Sequence, residues 1–252
     1  RVVSAGLTEQ DDLLALGVVP VAVTNWFGDQ PFGVWPWARN RLGAAEPAVL
    51  NLDGGIQVDR IAELKPDLIV AVNAGLDRDS YQKLSAIAPT LAQSGADAFF
   101  EPWREQAAAV AAAVFRTDQM AALTGAVEAG FAAVAQSNPG FGDHTAMLMS
   151  PATPVDPAAN AVSGWRAEFL TAMGLQAAAT AAEADVLIWC TENEDQQAAV
   201  LADPAMADLG ATVARRNIFT PPDLAAAIAF ASPLSYPVVA DQLPPILARA
   251  LA

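Results

Sequence analysis

Short apolar runs alternate with stretches of helical periodicity over the first hundred residues of the chain. Near-continuous Val, Ile and Leu runs that are followed by helices are typical of a parallel sheet covered on both faces. The predicted strands lie at residues 2–5, 19–25, 49–52, 67–72 and 90–95. The stretches EQDDLLALG at 9–17, QVDRIAELKP at 57–66 and SYQKLSAIAP at 80–89 predict the helices between them.

Acidic residues crowd the start of the first predicted helix. Glu9, Asp11 and Asp12 lie within its first turn, where the helix dipole favours negative charge. Charged side chains at helix ends are usually solvated. We therefore expect Asp11 and Asp12 to lie at a solvated helix end.

The pattern changes at Pro102. Apolar residues at 103, 107, 110, 111 and 114 have helical spacing, and a second helix is predicted from Thr117 to about Ser137. A helix of that length measures about 30 Å, which spans a small domain. Strand and helix patterns then resume, with strands predicted at 145–150, 184–190 and 217–220 and helices at 165–174 and from about 235.

This layout predicts an α/β protein with two lobes, built on mainly parallel sheets and bridged by one long helix. The predicted N-terminal lobe covers residues 1–101 and the C-terminal lobe covers 139–252. Residues 102–138 form a helical connector that includes the interlobe helix.

Composition narrows the possible partners. The 252 residues are 54% hydrophobic and 16% charged, and no window is long and apolar enough for a transmembrane span. The formal net charge of −15 repels nucleic acid and anionic membranes. The opening RVVSAG has a strand pattern without a signal or lipidation motif, which fits a cytosolic protein or a trimmed mature chain.

One loop concentrates aromatic residues. The stretch NWFGDQPFGVWPW at 25–37 holds three of the six tryptophans and two of the ten phenylalanines, and its glycines and prolines predict no regular structure. It follows the second predicted strand, and ligands of open parallel sheets bind beyond the carboxyl ends of strands. We therefore expect this loop to contact a ligand, a partner or the body of the protein.

The same argument identifies further aromatic, cationic and polar residues that follow strands in both lobes. Rings supply stacking area and arginines pair with carboxylates, so the set suits a large, partly apolar, anionic ligand. Core packing remains an alternative for each ring, and a surface ion pair for each arginine. The candidate ligand-binding residues are Trp26, Phe27, Trp35, Trp37, Asn73, Phe99, Trp103, Arg104, Trp165, Arg166 and Tyr236.

Catalytic and metal-binding patterns are missing from the sequence. No phosphate-binding glycine loop and no nucleophile elbow is present. The single histidine, His144, and the single cysteine, Cys190, do not make up a zinc site. We expect His144 to be structural or exposed, Cys190 to be an inert buried thiol, and Trp189 to lie in the core.

Two stretches resemble a known family. QVDRIAELKPDLIVAVNAGLDRDSYQKLSAIAPTL at 57–91, with LKPDLI and IAPT, is similar to substrate-binding proteins of iron–siderophore ABC transporters, the FecB/FhuD-like class. The stretches at 1–18, 164–175 and 184–239 also look like that family, and specifically like its actinobacterial members. The resemblance implies a class III periplasmic-binding-protein fold and a ligand cleft between the lobes.

The resemblance also implies partners and a location. Members dock to a permease through one acidic side chain on each lobe; the matching position in the first lobe is Asp59, where the family more often has Glu. The second-lobe segment at 176–183 is shorter than in the family, so Glu183 is only a guess. The family is extracytoplasmic, in the periplasm or cell envelope, and a lipid anchor is implied for the full-length precursor.

The sequence therefore predicts a monomeric, non-enzymatic binding protein that captures a ferric siderophore or similar iron chelate and delivers it to an ABC permease. Iron that arrives as a chelate requires no intrinsic cofactor or metal ligand. The nearest alternative is haem, for which Tyr81, Tyr236 and His144 are candidate axial ligands. A second alternative is an α/β enzyme that uses the same cleft, and a third is an interaction module whose aromatic loop meets a protein partner.

Overall fold

The apolar runs of the first hundred residues form a five-stranded parallel sheet. The computed structural model describes residues 1–95 and 99–252. The strands are β1 (Val2–Ser4), β2 (Ala22–Thr24), β3 (Ala48–Leu50), β4 (Leu68–Ala71) and β5 (Thr90–Ala92). Their order is β3-β2-β1-β4-β5, and every neighbouring pair is parallel. Four of these strands lie within the predicted apolar runs, and β3 begins one residue before its run at 49–52.

Helices cover both faces of this sheet. They are α1 (Glu9–Ala15), α2 (Pro36–Arg39), α3 (Val58–Glu63), α4 (Arg78–Ser85) and α5 (Trp103–Ala113). Successive residues of β4 point to opposite faces. Ile69 belongs to a core cluster with Leu84 of α4, whereas Val70 belongs to one with Leu13 of α1 and Val110 of α5. The continuous apolar run of β4 is therefore explained by burial on both sides.

A long helix, α6 (Thr117–Ser137), has the predicted bounds. The chain divides into two compact units, and α6 contributes to both: unit 1 is 1–125 with 232–235, and unit 2 is 126–231 with 236–252. In unit 1, Met120 of α6 packs with Leu16 of α1. The lobe boundaries predicted from the sequence stay a prediction beside this division.

Unit 2 is built on a second, mainly parallel sheet. Its strands are β6 (Thr145–Met149), β7 (Ala161–Val162), β8 (Gln176–Ala177), β9 (Val186–Trp189) and β10 (Asn217–Phe219). The order is β10-β9-β6-β7, with β8 also paired to β6, and β7 is antiparallel. The predicted strands match β6, β9 and β10, whereas the two-residue strands β7 and β8 are too short to produce a periodic pattern.

The helices of unit 2 complete the second α/β layer structure. They are α7 (Glu168–Ala172), α8 (Glu194–Ala202), α9 (Gly210–Val213), α10 (Pro222–Phe230) and α11 (Tyr236–Leu251). Trp189 is fully buried in this unit, as expected, and its indole Nε1 donates to Asn217 Oδ1 at 3.0 Å. Within the described ranges, no helix has both the length and the apolar character needed to cross a membrane.

The structure shows the surroundings of Cys190 and His144, the two residues for which the sequence predicts no metal site. Burial raises the pKa of the Cys190 thiol to about 12, so the thiol stays protonated at neutral pH and is a poor nucleophile. His144 precedes β6, is partly buried, and its Nδ1 lies 3.7 Å from Asp185 Oδ2. The raised pKa fits the inert thiol expected from the sequence, but Cys190 is partly exposed and not buried as expected. The surroundings of His144 fit the structural role expected for it.

Candidate functional site

Six aromatic rings of unit 1 contact one another beyond the carboxyl ends of β2 and β5. We call this set the aromatic cluster; it consists of Trp26, Phe27, Trp35, Trp37, Phe99 and Phe100. The Trp26 ring centroid lies 4.7 Å from that of Phe27 and 5.1 Å from that of Phe100. Phe27 also contacts Trp35 at 5.4 Å. The two loops that follow β2 and β5 are thus joined by ring contacts.

Tight backbone turns allow the rings to approach. Trp35 and Trp37 stack at 5.2 Å between centroids with 4° between their planes. Gly28 has φ +80, and a Cβ built there would lie 2.7 Å from Trp35 Cζ2, so a larger residue would displace the ring. Gly75, with φ +65, packs in the same way against Phe99. Both glycines therefore allow the positive φ of the turn and leave room for the neighbouring ring.

The prediction of no regular structure across the aromatic loop is wrong at its end. Helix α2 begins at Pro36, because proline lacks an N–H and its fixed φ suits the first helical position. A single 3-10 turn covers Pro31–Gly33. Trp37 is therefore held on a short helix, while Trp26 and Phe27 lie on the loop.

The predicted residues of unit 1 differ in exposure. Trp35, Trp103 and Asn73 are buried, with 4%, 5% and 1% of their surface exposed. Trp26, Phe27 and Trp37 are half-buried, and Phe99 is 41% exposed. Arg104 is exposed, and its guanidinium carbon lies 4.7 Å from the centroid of the Trp103 ring. The ring surface open to a ligand thus comes mainly from the half-buried and exposed members.

A buried polar network lies where the strand order of this sheet reverses, between β1 and β4. Such a switch point is the usual ligand position in an open parallel sheet. Asn73 Nδ2 donates to Thr8 Oγ1 at 3.1 Å, and Gln106 Nε2 donates to the same oxygen at 3.1 Å. Asn73 Oδ1 accepts from the Phe100 backbone N–H at 2.9 Å. The network therefore fixes one end of the aromatic cluster.

Sequence reasoning missed Thr8 and Gln106 in this network. Thr8 looks like an ordinary helix cap, and Gln106 lies in an alanine-rich helix. Their buried positions beside Asn73 arise from the packing of α1 against α5, which no local pattern records.

The expectation that Asp11 and Asp12 are solvated is wrong. Glu9, Asp11 and Asp12 are at most 1% exposed, because α1 is covered on all sides. Burial raises the pKa of all three carboxyls, that of Asp11 from 3.8 to about 6 and that of Asp12 well above its usual value. The nearby charges of Asp11 and Glu9 raise the pKa of Asp12 further.

Hydrogen bonds offset part of the free-energy cost of burying these three carboxyl groups. Glu9 Oε1 accepts from the Asn73 backbone N–H at 2.7 Å, and Asp12 Oδ2 accepts from Gln106 Nε2 at 2.8 Å. Asp11 Oδ2 accepts from the Trp37 indole Nε1 at 2.8 Å. The three acids thus connect α1 to β4, to α5 and to the aromatic cluster.

The predicted residues of unit 2 fall into two environments. Trp165 and Arg166 lie on the 3-10 turn Gly164–Ala167 and are half-buried, with the Arg166 guanidinium carbon 5.4 Å from the Trp165 ring centroid. Burial lowers the pKa of Arg166, and Tyr236 opposes this effect. Tyr236 is 1% exposed, and its ring lies 5.3 Å from that of Phe131 and 6.0 Å from that of Phe169. Tyr236 therefore belongs to the packing of unit 2.

The candidate docking acids are both exposed. Asp59 lies in the first turn of α3, and Glu183 ends the 3-10 turn Ala181–Glu183. The segment between Leu175 and β9 contains β8 and this turn. Their role in docking stays a prediction.

The candidate metal and haem ligands were also located in the structure. Over residues 1–95 and 99–252, no three His, Cys, Asp or Glu side chains are grouped to hold a metal ion. Of the candidate haem ligands, Tyr81 is on an exposed face of α4, and Tyr236 packs against two phenylalanine rings.

Comparison with known proteins decides the family. A family model described as periplasmic binding protein matches residues 2–224. The chain belongs to the periplasmic binding protein family. Members of this family are extracytoplasmic solute-binding proteins. The match confirms the resemblance and the fold class that were predicted from the sequence.

Several solved structures share the fold over almost their full length. A periplasmic solute binding protein from Mycobacterium smegmatis is 56% identical, with a TM-score of 0.93 over 100% of this chain and 93% of that one. PiaA from Streptococcus pneumoniae, solved with ferrichrome, is 21% identical, with a TM-score of 0.78 over 100% and 93%. FhuD2 from Staphylococcus aureus, solved with ferrioxamine B, is 18% identical, with a TM-score of 0.72 over 100% and 99%. The last two show the fold alone. Among curated proteins, none matches the chain.

Proposed function

We propose that this protein captures a ferric siderophore or a similar iron chelate outside the cytoplasm and delivers it to an ABC permease. The observation that carries the proposal is the aromatic cluster beyond the carboxyl ends of β2 and β5. The chain that carries this cluster shares its fold with proteins that were solved in complex with ferrichrome and ferrioxamine B.

The chemistry of the candidate residues suits such a ligand. A ferric siderophore is large and partly apolar, and it presents its iron already coordinated. It therefore needs ring surface and a few polar contacts from the protein rather than metal donors. Arg104 and Arg166, each beside a tryptophan, supply positive charge in a chain of net charge −15.

The proposed contacts follow from exposure. We assign direct ligand contact to the half-buried and exposed residues and a supporting role to the buried ones. Direct contacts are proposed for Trp26, Phe27, Trp37, Phe99, Arg104, Trp165 and Arg166. Supporting roles are proposed for Trp35, Asn73, Trp103 and Tyr236, whose side chains are at most 5% exposed.

Delivery completes the proposal. Asp59 and Glu183 are exposed acids that suit docking to basic side chains of a permease. A lipid anchor in the full-length precursor would hold the protein near that permease. The protein carries out no chemical conversion in this scheme, and it acts as a monomer.

Native mass spectrometry tests the proposal. The purified protein is mixed with ferrichrome, ferrioxamine B, ferric citrate and haemin, each at equal concentration, and with the two iron-free siderophores as controls. We expect a 1:1 complex with at least one ferric siderophore and a weaker one, or none, with its iron-free form. A complex with haemin alone, or with no iron compound in the set, would contradict the proposal.

A further inference from the structure

One carboxylate oxygen joins two distant parts of unit 1. Asp11 Oδ2 accepts from the Trp37 indole Nε1 at 2.8 Å and from Ser232 Oγ at 2.6 Å. Asp11 and Ser232 are 221 positions apart in sequence, and they are 0% and 2% exposed. The bond to Ser232 is therefore buried, while the bond to the half-buried Trp37 is partly buried. Both are formed to an oxygen that shares a negative charge, which strengthens them.

The segment that contains Ser232 is ordered by its own hydrogen bonds. Ser232 Oγ accepts from the Ser235 backbone N–H at 2.9 Å, and Ser235 Oγ accepts from the Ser232 backbone N–H at 2.9 Å. Leu234 packs on the core cluster of Leu14 and Val34, against which Trp37 also packs. Asp11 thus fixes a segment that lies beside the Trp37 ring.

The Trp37 ring transmits this constraint to the aromatic cluster. It stacks on Trp35 with 4° between the planes, and Trp35 contacts Phe27. Stacking alone does not determine in which direction the N–H of an indole ring points. A hydrogen bond from that N–H to a fixed acceptor selects one orientation of the ring. The position of Asp11 therefore bears on the shape of the ring surface.

The burial of Asp11 is hard to explain by stability alone. Its Oδ1 is buried and has no hydrogen-bond partner among residues 1–95 and 99–252. A buried carboxylate with an unsatisfied oxygen destabilises a fold relative to an apolar or amide side chain of similar size. Costly buried charges of this kind are concentrated at functional sites.

We propose that Asp11 is a positioning residue of the ligand site: it holds the Trp37 indole and the Ser232–Ser235 segment in the arrangement that presents the aromatic cluster to its ligand. Asp11 acts through Trp37 and does not itself contact the ligand. The effect on affinity rests on the proposed function, whereas the effect on the orientation of Trp37 does not.

The first test observes Trp37 directly in the absence of ligand. The protein is labelled with 5-fluorotryptophan, and the ¹⁹F resonance of Trp37 is assigned with the W37F variant. We expect Asp11→Ala to shift or broaden this resonance and Ser232→Ala to move it by a smaller amount. Asp11→Asn, which keeps an acceptor oxygen, should restore the wild-type position.

Asp12→Ala is the matched control, because Asp12 is an equally buried acid of the same helix that bonds Gln106 instead. It should leave the Trp37 resonance in place. If Asp11→Ala does not move the resonance, or if Asp12→Ala moves it equally, Asp11 does not position Trp37. Should Asp11→Ala fail to fold, the comparison of Ser232→Ala with Asp11→Asn decides the same question.

The second test measures affinity for ferrichrome, ferrioxamine B or ferric citrate, whichever of these chelates the wild type binds. We expect Asp11→Ala to raise Kd about tenfold and Asp11→Asn to raise it by less than about threefold. Asp11→Ala in the W37F background should add little further loss, since coupled residues are not additive. An undiminished tenfold loss in that background would overturn the role through Trp37. If the wild type binds none of these chelates, the proposed function fails and the ¹⁹F experiment alone decides the positioning role.

Discussion

The buried carboxylates at the start of α1 make the free energy of unfolding depend on pH. Burial raises the pKa of Asp11 from 3.8 to about 6 and that of Glu9 and Asp12 in the same direction. Between pH 4 and 6 the folded protein therefore binds more protons at Asp11 than the unfolded chain does. Since stability falls with rising pH wherever the folded state holds more protons, the protein should be more stable at pH 5 than at pH 8.

The magnitude follows from the pKa of Asp11. The difference between 3.8 and about 6 corresponds to about 3 kcal/mol of stability, because one pKa unit is about 1.4 kcal/mol. This stability is lost as the pH rises and Asp11 ionises. About half of the loss occurs between pH 5 and pH 8, because the other half has already occurred below pH 5. For a chain of this size that difference alone changes Tm by roughly 3–6 °C. Glu9 and Asp12 add to the loss, since their pKa values move the same way.

Urea unfolding at pH 5 and pH 8 measures the effect. Asp11→Asn removes the titrating group while keeping an acceptor for Trp37, so it should reduce the difference between the two pH values by roughly 1–2 kcal/mol. Asp77→Asn is the control: Asp77 is an exposed acid, and the hydrogen bond that it accepts from the Ser80 backbone N–H lowers its pKa, so it stays ionised from pH 5 to 8. The reasoning is refuted if wild type is more stable at pH 8, or if Asp11→Asn keeps the full dependence.

Three further predictions concern packing, docking and the thiol. Gly28→Ala should destabilise the fold by about 1–3 kcal/mol in thermal or urea unfolding, because of its φ of +80 and its contact with Trp35, whereas Gly54→Ala, which meets open space, should change little. Asp59→Lys should impair siderophore uptake in cells and leave Kd unchanged; a weakened Kd would contradict the docking role. Cys190 is partly exposed and burial raises the pKa of its thiol to about 12, so the native protein should react with a thiol reagent more slowly than the unfolded chain, and equal rates would contradict the raised pKa.

The sequence predicts most of the fold because the main elements have strong local signals. The run LIVA of β4 is buried, and α6 begins at Thr117, where the sequence predicts a helix from the spacing of its apolar residues. Helix α10 was not predicted, because its residues are apolar on nearly every side and such a run does not distinguish a buried helix from a strand. Strands β7 and β8 are set by pairing with β6, which is a tertiary effect.

The candidate site is predicted less completely for the same reason. The aromatic loop is visible in the sequence, but the difference between buried Trp35 and half-buried Trp26 depends on the turn at Gly28. Acids at a helix start usually face water, and nothing local indicates that Asp11 is covered by a segment 221 residues away. Polar networks that join distant strands and helices become visible only when the chain is folded.

Intrinsic tryptophan fluorescence during titration with ferrichrome and ferrioxamine B tests the central claim most directly. The account predicts saturable quenching by a ferric siderophore, because the rings of the aromatic cluster would lie against the chelate, and little response to its iron-free form. Trp26→Ala should weaken this binding about tenfold to a hundredfold, as expected for an aromatic anchor worth about 2 kcal/mol. The Tm of the Trp26→Ala variant should stay within a few degrees of that of the wild type, since Trp26 is half-buried. The absence of saturable quenching by any ferric siderophore, or wild-type affinity in Trp26→Ala, would contradict the account.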